Sequence, residues 1–238
     1  MEIKQFNKDE PARVGLVALY YGEAGTGKTY NALSFPDPML VLDTEHRCEL
    51  VLKQIKEEKE VYIATITSMK DITDSINAFY TLTKDLLGKT DFTDTPTIVI
   101  DSASIIYQLA QEQYMADTNS QKIYPQFAWG KVYDILDTLV QKIRALGYNL
   151  VFTAQMKDEF IEQQKTDRRV VDIYKRIPYW ADAIIECTYD KKTNKRKLTV
   201  VKNGYSKNQY FEIEPGIDEL QKHLPSNDTR PEPPEQNG

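Results

Sequence analysis

Between Tyr21 and Tyr30 the chain reads Y-G-E-A-G-T-G-K-T-Y. Gly22, Gly27, Lys28 and Thr29 satisfy G-x-x-x-x-G-K-[ST], a pattern that works only as the turn between a strand and a helix. The residue types explain why. Small residues let consecutive backbone N–H groups curl around phosphate oxygens, the lysine reaches the β and γ phosphates, and the threonine hydroxyl is suited to Mg²⁺. The flanks agree: "VGLVALYY" (14–21) reads as a buried strand and "KTYNALSF" (28–35) as a helix. A helix starting near Gly27 would add its positive end to the cradle. The expected nucleotide-binding set is therefore Gly22, Glu23, Ala24, Gly25, Thr26, Gly27, Lys28, Thr29 and Tyr30, with ATP and Mg²⁺ as cofactors.

Other apolar runs also end in polar residues: "MLVLDT" (39–44), "VYIATI" (61–66), "TIVIDS" (97–102) and "NLVFTA" (149–154). Continuous apolar runs of this length suit strands covered on both faces. Helical stretches lie between them. "DITDSINAFYTLTKDLLGK" (71–89) offers Asp71 as N-cap and Gly88 near its stop. "WGKVYDILDTLVQKIRALG" (129–147) places Val132, Ile135, Leu136, Leu139, Ile143 and Leu146 on one face before Gly147. Past residue 180 the pattern becomes strand–turn–strand in "ADAIIECTYD" (181–190), "KRKLTVVKN" (195–203) and "QYFEIEP" (209–215). The expectation is an α/β fold with a mainly parallel central sheet flanked by helices and C-terminal antiparallel hairpins. One domain over 1–224 would precede a disordered Pro-rich, acidic tail at 225–238.

Composition narrows the partners. A formal charge of −6 provides no global basic field, so contact with nucleic acid must come from local patches. Two well-separated cysteines, Cys48 and Cys187, and two scattered histidines lack metal-site spacing. No apolar run reaches membrane-spanning length, and the start "MEIKQFNKDEPAR" does not resemble a signal peptide. The expectation is a cytoplasmic protein with no membrane partner.

In open α/β sheets the ligand sits beyond the carboxyl ends of the strands, so the residue each run delivers there matters. "TIVIDS" delivers Asp101, placed to hold the Mg²⁺ shell, and the next position, where many ATPases keep a glutamate base, is Ser102. "MLVLDTEHR" offers Glu45 just past a strand expected to neighbour the phosphate-loop strand, with Asp43 as the alternative acid. "NLVFTAQ" delivers Gln155, an amide suited to a γ-phosphate or an attacking water.

Together "GEAGTGKT", "VLDTEH", "IVIDS", "VFTAQ" and "VVKNGYSKNQYFEI" resemble, in order and spacing, the ATPase core of the RecA/RadA recombinase family over residues 10–215. Within it, the short single-domain RecA-like proteins of phages and archaeal viruses associated with single-strand annealing are most similar. The resemblance implies a RecA-like P-loop fold and DNA-dependent ATP hydrolysis in recombination, repair or annealing. It implies Glu45 as catalytic base, Gln155 as the link between nucleotide state and DNA, and Lys202 reaching a neighbouring subunit's γ-phosphate. Gly204 stands where recombinases often carry a second lysine. Implied partners are single-stranded DNA, further copies in a ring or filament, and a single-strand-binding protein. For a viral protein the compartment would be the host cytoplasm.

The loop expected after Gln155 carries Lys157, Lys165, Arg168 and Arg169 as candidate DNA contacts, with Phe160 able to stack on a base. A solvated loop is the alternative, since Asp158, Glu159, Glu162 and Asp167 nearly balance its charge. "NSQKIYPQFAWGK" (119–131) is a candidate second loop of this kind, with Phe127 and Trp129 read as core anchors ahead of base-stacking residues, and "KKTNKRK" (191–197) reads as a solvated hairpin turn. Two rival functions fit the same motif. One is a P-loop kinase using Asp43 or Glu45 as base and "KTDRRVVDIYKR" as a lid; the other is a non-catalytic nucleotide switch that scaffolds other proteins.

Overall fold

The structure, a computed structural model, describes residues 15–87, 94–119, 128–162, 164–204, 210–216, 219–220 and 222–223. Gly88, Phe127 and the 225–238 tail lie outside these residues. Among the described residues nine strands form one sheet: β1 (Val17–Gly22), β2 (Met39–Asp43), β3 (Val61–Thr65), β4 (Thr97–Asp101), β5 (Asn149–Ile161), β6 (Gln164–Asp172), β7 (Ala183–Asp190), β8 (Lys195–Asn203) and β9 (Phe211–Ile213). Their spatial order is β3-β2-β4-β5-β1-β7-β8-β9, with β6 paired to β5. The pairings from β3 across to β7 are all parallel, while β5–β6, β7–β8 and β8–β9 are antiparallel. This is the expected mixed α/β architecture.

The continuous apolar runs become the central strands because both of their faces are covered. One face packs Val17, Leu19, Leu42, Ile100 and Phe152 against α3 (Met69–Thr83), α4 (Ala103–Asp117) and α5 (Ala128–Leu146). The other packs Ala18, Tyr20, Val41, Val99 and Val151 with residues of α1 (Lys28–Ala32), α2 (Cys48–Leu52) and the C-terminal strands. Burying each large apolar side chain contributes about 1.5–3 kcal/mol before entropy is counted. Buried and half-buried polar side chains set the strand starts. Asn149 accepts from the Leu16 N–H and donates to the Thr95 carbonyl, both at 2.9 Å, while the Asp182 carboxylate accepts from Val17 N–H at 2.9 Å.

Several expectations are corrected. β3 is an edge strand with Tyr62 and Ile63 more than a third exposed, so an apolar run here does not mean burial on both faces. β2 does not neighbour β1, because β4 and β5 lie between them. The segment after Gln155 is no loop: β5, 13 residues long in all, continues to Ile161 and pairs antiparallel with β6 as a long hairpin. The stretch after Lys28 is helical for only five residues. Helix α3 starts at Met69, and its N-cap is Ser68, whose Oγ accepts from the Asp71 N–H at 3.2 Å. Asp71 reaches back to the Thr67 N–H and hydroxyl, a reciprocal cap in which the acid sits three positions inside. Helix α5 ends as expected at Gly147, whose φ of +83° suits a residue without Cβ. Among the described residues no helix is long and apolar enough to cross a membrane.

Candidate active site

The turn from β1 into α1 is shaped by glycines at positive φ: Gly25 at +78° and Gly27 at +93°. A Cβ on Gly22 would lie 2.1 Å from the Cys187 carbonyl oxygen, so that position has no room for a side chain. Thr26 Oγ donates to the Glu23 carbonyl at 2.8 Å and tightens the loop from inside. With α1 only five residues long, the cradle depends on these loop amides more than on a helix end.

Lys28 Nζ donates to the carbonyls of Gly22 (3.1 Å) and Glu23 (2.8 Å), curled over the loop it belongs to. Burial lowers its pKa, and the nearby charges of Cys187, Glu45, Asp101 and Glu23 pull it back up. Asp101, at the end of β4, is held from both sides. Its Oδ2 accepts from the Thr29 hydroxyl at 2.9 Å and the Cys48 thiol at 3.2 Å, and its Oδ1 accepts from the Thr153 hydroxyl. Burial first, then the Asp101 and Asp43 charges, push the Cys48 thiol up, so it stays a protonated donor.

This donor set fits magnesium, a hard cation that prefers oxygen and keeps several water or phosphate ligands. The Thr29 hydroxyl and an Asp101 carboxylate oxygen already stand 2.9 Å apart. Among the described residues no group of three or more His, Cys, Asp or Glu is arranged to hold a metal ion, so magnesium would rely on phosphate oxygens as well. The cradle likewise fits a polyphosphate. Its lysine has only loop carbonyls to exchange for phosphate oxygens.

Asp43 and Glu45 play different parts. The Asp43 carboxylate accepts from the backbone N–H groups of Glu45 (3.1 Å), His46 (2.7 Å) and Cys48 (3.0 Å). It is committed to folding the turn into α2 and is not a free base. Thr44 ties the ends of β2 and β4 together: its N–H donates to the Asp101 carbonyl at 2.7 Å, and its Oγ accepts from the Ser102 N–H at 2.8 Å. Glu45 projects from this fixed turn, and its Oε1 accepts from Gln155 Nε2 at 2.6 Å. Residues 110 apart in sequence thus meet although β2 and β5 are not neighbours. Ser104 Oγ, in the first turn of α4, accepts from the Gln155 N–H at 3.0 Å and fixes the strand there. Ser102, where a glutamate base could stand, caps that helix by accepting from the Ser104 N–H.

The expected DNA contacts are mostly engaged elsewhere. Lys157 pairs with Asp172 and Lys165 with Asp158, each at 2.7 Å. Arg169 turns back to the cradle and pairs with Glu23. Phe160 and Ile161 stand exposed at the hairpin tip. Lys202 is seated within its own chain: its Nζ donates to the carbonyls of Pro178 (2.9 Å), Tyr179 (3.4 Å) and Ala181 (2.5 Å) around α6 (Ile177–Trp180). Reaching a neighbouring subunit would require it to leave all of them. Trp129 stacks against Tyr107 at 6.1 Å between ring centroids, as a core anchor does.

One residue of the site escaped the sequence reading. Arg196, in the segment read as a solvated turn, lies over the cradle with Nε donating to the Gly25 carbonyl at 3.3 Å. A Cβ on Gly27 would come within 3.0 Å of its Cδ. It borders a cavity of about 1030 Å³ shared with Gly27, Tyr30, Asn31 and Tyr189. No local signal in "KKTNKRK" marks it; only the β7–β8 register brings it there.

A glycine-shaped cradle, its lysine, and a threonine at the start of α1 bonded to an aspartate at the end of β4 define a P-loop nucleotide-binding domain of the ATPase type. Family comparison agrees: the model of a family described as an AAA domain matches residues 15–209, most of the chain, and the chain belongs to that family. That match does not single out recombinases or the short phage and archaeal-virus group. Comparison with curated proteins returned no match.

Proposed function

We propose that the chain is a magnesium-dependent ATPase of RecA-like type whose turnover responds to single-stranded DNA. The observation that carries the hydrolytic part is the Gln155–Glu45 hydrogen bond of 2.6 Å, which joins a base candidate to the start of the β5–β6 hairpin. Asp43 is occupied by backbone N–H groups, which leaves Glu45 as the carboxylate available at this edge. Glu45 takes a proton from an attacking water while the Gln155 amide holds the carboxylate in place. The water oxygen bonds to the γ-phosphorus, the bond to the β–γ bridging oxygen breaks, and ADP leaves with that electron pair. The proton then passes from Glu45 to solvent. Lys28 steadies the phosphates, and Thr29 with Asp101 would hold Mg²⁺, which when bound neutralises charge on the phosphate oxygens. The nucleoside has room in the cavity beside Tyr30, Tyr189 and Arg196.

The DNA part rests on the hairpin tip. Phe160 is 63% exposed and Ile161 58%, a platform for stacking on an unpaired base. Because Gln155 lies on the same strand as that tip, a strand bound there bears directly on the Glu45 contact. The test is ATP turnover against Mg²⁺ concentration, with and without a single-stranded oligonucleotide, at several salt concentrations. Magnesium-dependent phosphate release that rises with oligonucleotide supports the reading. Absence of turnover overturns the ATPase, and turnover indifferent to DNA at low salt overturns the DNA coupling.

A further inference from the structure

Phosphoryl transfer builds negative charge on the γ-phosphoryl oxygens, and a cation beyond the loop lysine is what most accelerates it. Sequence alone points to another subunit for that cation. The structure offers one in the same chain. Strand β6 runs back along β5 from its tip, and Arg169 lies directly opposite Asp158, close above the root of the hairpin. From there its guanidinium makes three contacts. Nη1 pairs with the Glu23 carboxylate, Nη2 donates to the Met156 carbonyl at 2.8 Å, and Nε lies 3.7 Å from Asp158.

The two ends of this bridge matter. Glu23 is the first residue after Gly22 in the cradle, and its carbonyl accepts from Lys28 Nζ, the group that meets the terminal phosphate. Met156 follows Gln155, which holds Glu45. One arginine therefore spans the lysine side and the base side of the space a terminal phosphate would enter. The Glu23 carboxylate stands in for an anion there.

We propose that Arg169 is a cis-acting catalytic cation, which exchanges Glu23 for the γ-phosphoryl oxygens of bound ATP. This rests on the nucleotide-hydrolysis reading above. The exchange is cheap. Both partners are about half exposed, 44% for Arg169 and 54% for Glu23, and exposed pairs contribute on the order of 0–1 kcal/mol. A phosphate offers the planar guanidinium a bidentate acceptor of higher charge. The Met156 carbonyl keeps the side chain aimed while the exchange occurs. A simple tether between hairpin and cradle is the competing role, and it makes Glu23 as necessary as Arg169. A catalytic cation makes Glu23 a competitor.

The experiment uses the full chain without DNA and compares Arg169→Ala, Arg169→Lys and Glu23→Gln. The readouts are kcat for ATP and the affinities for ADP, ATPγS and ADP with aluminium fluoride. Arg169→Ala is expected to keep its ADP affinity within about twofold, which also reports that the cradle is folded. It should lose about 10³ in kcat and at least tenfold in ADP–aluminium fluoride affinity, as removal of an arginine finger does. Arg169→Lys should recover part of both, and Glu23→Gln should raise kcat severalfold. Equal losses in Arg169→Ala and Glu23→Gln, or near-normal turnover in Arg169→Ala, would overturn the proposal. Should the wild-type chain show no turnover with or without an oligonucleotide, the hydrolytic reading fails separately, and the ATPγS-to-ADP affinity ratio still decides. A ratio that falls about tenfold in Arg169→Ala supports a contact to the terminal phosphate, and an unchanged ratio overturns it.

Discussion

The parallel half of the sheet and its antiparallel hairpins deliver functional residues by different physics. Asp101 and Asp43 are buried and each accepts three hydrogen bonds, from Thr29, Cys48 and Thr153 in one case and from backbone N–H groups in the other. The β5–β6 hairpin is held by ion pairs whose side chains stay roughly 40–60% exposed, such as Lys157–Asp172 and Lys165–Asp158. Buried, fully satisfied polar networks hold one geometry, whereas exposed pairs exchange partners at little cost. The parallel half is thus suited to holding the metal and phosphates in place. The hairpins suit residues that must move between partners.

The largest effects should therefore come from the parallel half. Lys28→Ala and Glu45→Gln are each expected to cut kcat by about 10³ or more, on the scale of losing a phosphate-positioning or base group. Their nucleotide affinities should differ. Lys28→Ala loses direct phosphate contacts and weakens ATP binding, while Glu45→Gln still binds ATP and holds it longer. Steady-state hydrolysis with equilibrium nucleotide binding separates the two. Near-normal turnover in Glu45→Gln would move the base elsewhere.

The donors behind Asp101 come next. Thr153→Val removes a buried hydroxyl from Oδ1, and Cys48→Ala removes the thiol from Oδ2. Groups that orient a metal ligand are commonly worth 10–100-fold in metal affinity, so the Mg²⁺ midpoint of turnover should rise by about tenfold in each. Cys48→Ser keeps a donor and should stay closer to the parent. Unchanged midpoints in both alanine-type variants would mean that the network serves folding alone.

This contrast also explains what could be read without coordinates. Strand ends carry functional residues in parallel sheets, so Asp101, Glu45 and Gln155 could be located from their apolar runs alone. The meeting of Glu45 with Gln155 could not, because it depends on strand order: Gln155 is on β5, and β4 lies between β2 and β5. Arg169, read only as a candidate DNA contact, and Arg196, read only as part of a solvated turn, were illegible as neighbours of the cradle for a related reason. Each reaches the cradle only through hairpin register, and a charged residue in a mixed-charge segment carries no periodic signal. Asp71 misled because an acid inside a reciprocal cap looks like the cap itself. Lys202 is legible as a lysine in the appended strand, but its seat on the α6 carbonyls is a tertiary fact.

Lys202 gives a smaller and different test of the hairpin half. Truncation to alanine leaves the carbonyls of Pro178, Tyr179 and Ala181 without that donor, a loss of about 1–3 kcal/mol where they stay dry. Thermal or urea unfolding should show the loss directly. A subunit-bridging lysine behaves otherwise: stability is kept, turnover falls, and mixing Lys202→Ala with Glu45→Gln restores some activity. Lower stability with turnover preserved once folded assigns Lys202 to the α6 end.

The smallest expected effect tests the hairpin's ion pairs themselves. In a double-mutant cycle on Lys157 and Asp172, whose side chains are 56% and 41% exposed, the coupling should be below about 1 kcal/mol and fall with salt. Acid should act on the same region through Asp158. The hydrogen bond from Lys165 holds that carboxyl below its ordinary value, and the Lys165 and Arg169 charges add to the effect. A depressed folded-state pKa contributes stability that is present above the unfolded value and lost as pH falls through the folded one. Hydrogen-exchange protection of β6 amides should therefore decline on acidification through and below the ordinary carboxylate range, beyond any change in β1 or β4. Among the described residues the central strands have no comparable exposed pair to lose. Equal loss of protection in β6 and β4 across that range would mean that the hairpin is as firmly held as the parallel core, and the contrast between the two halves would not stand.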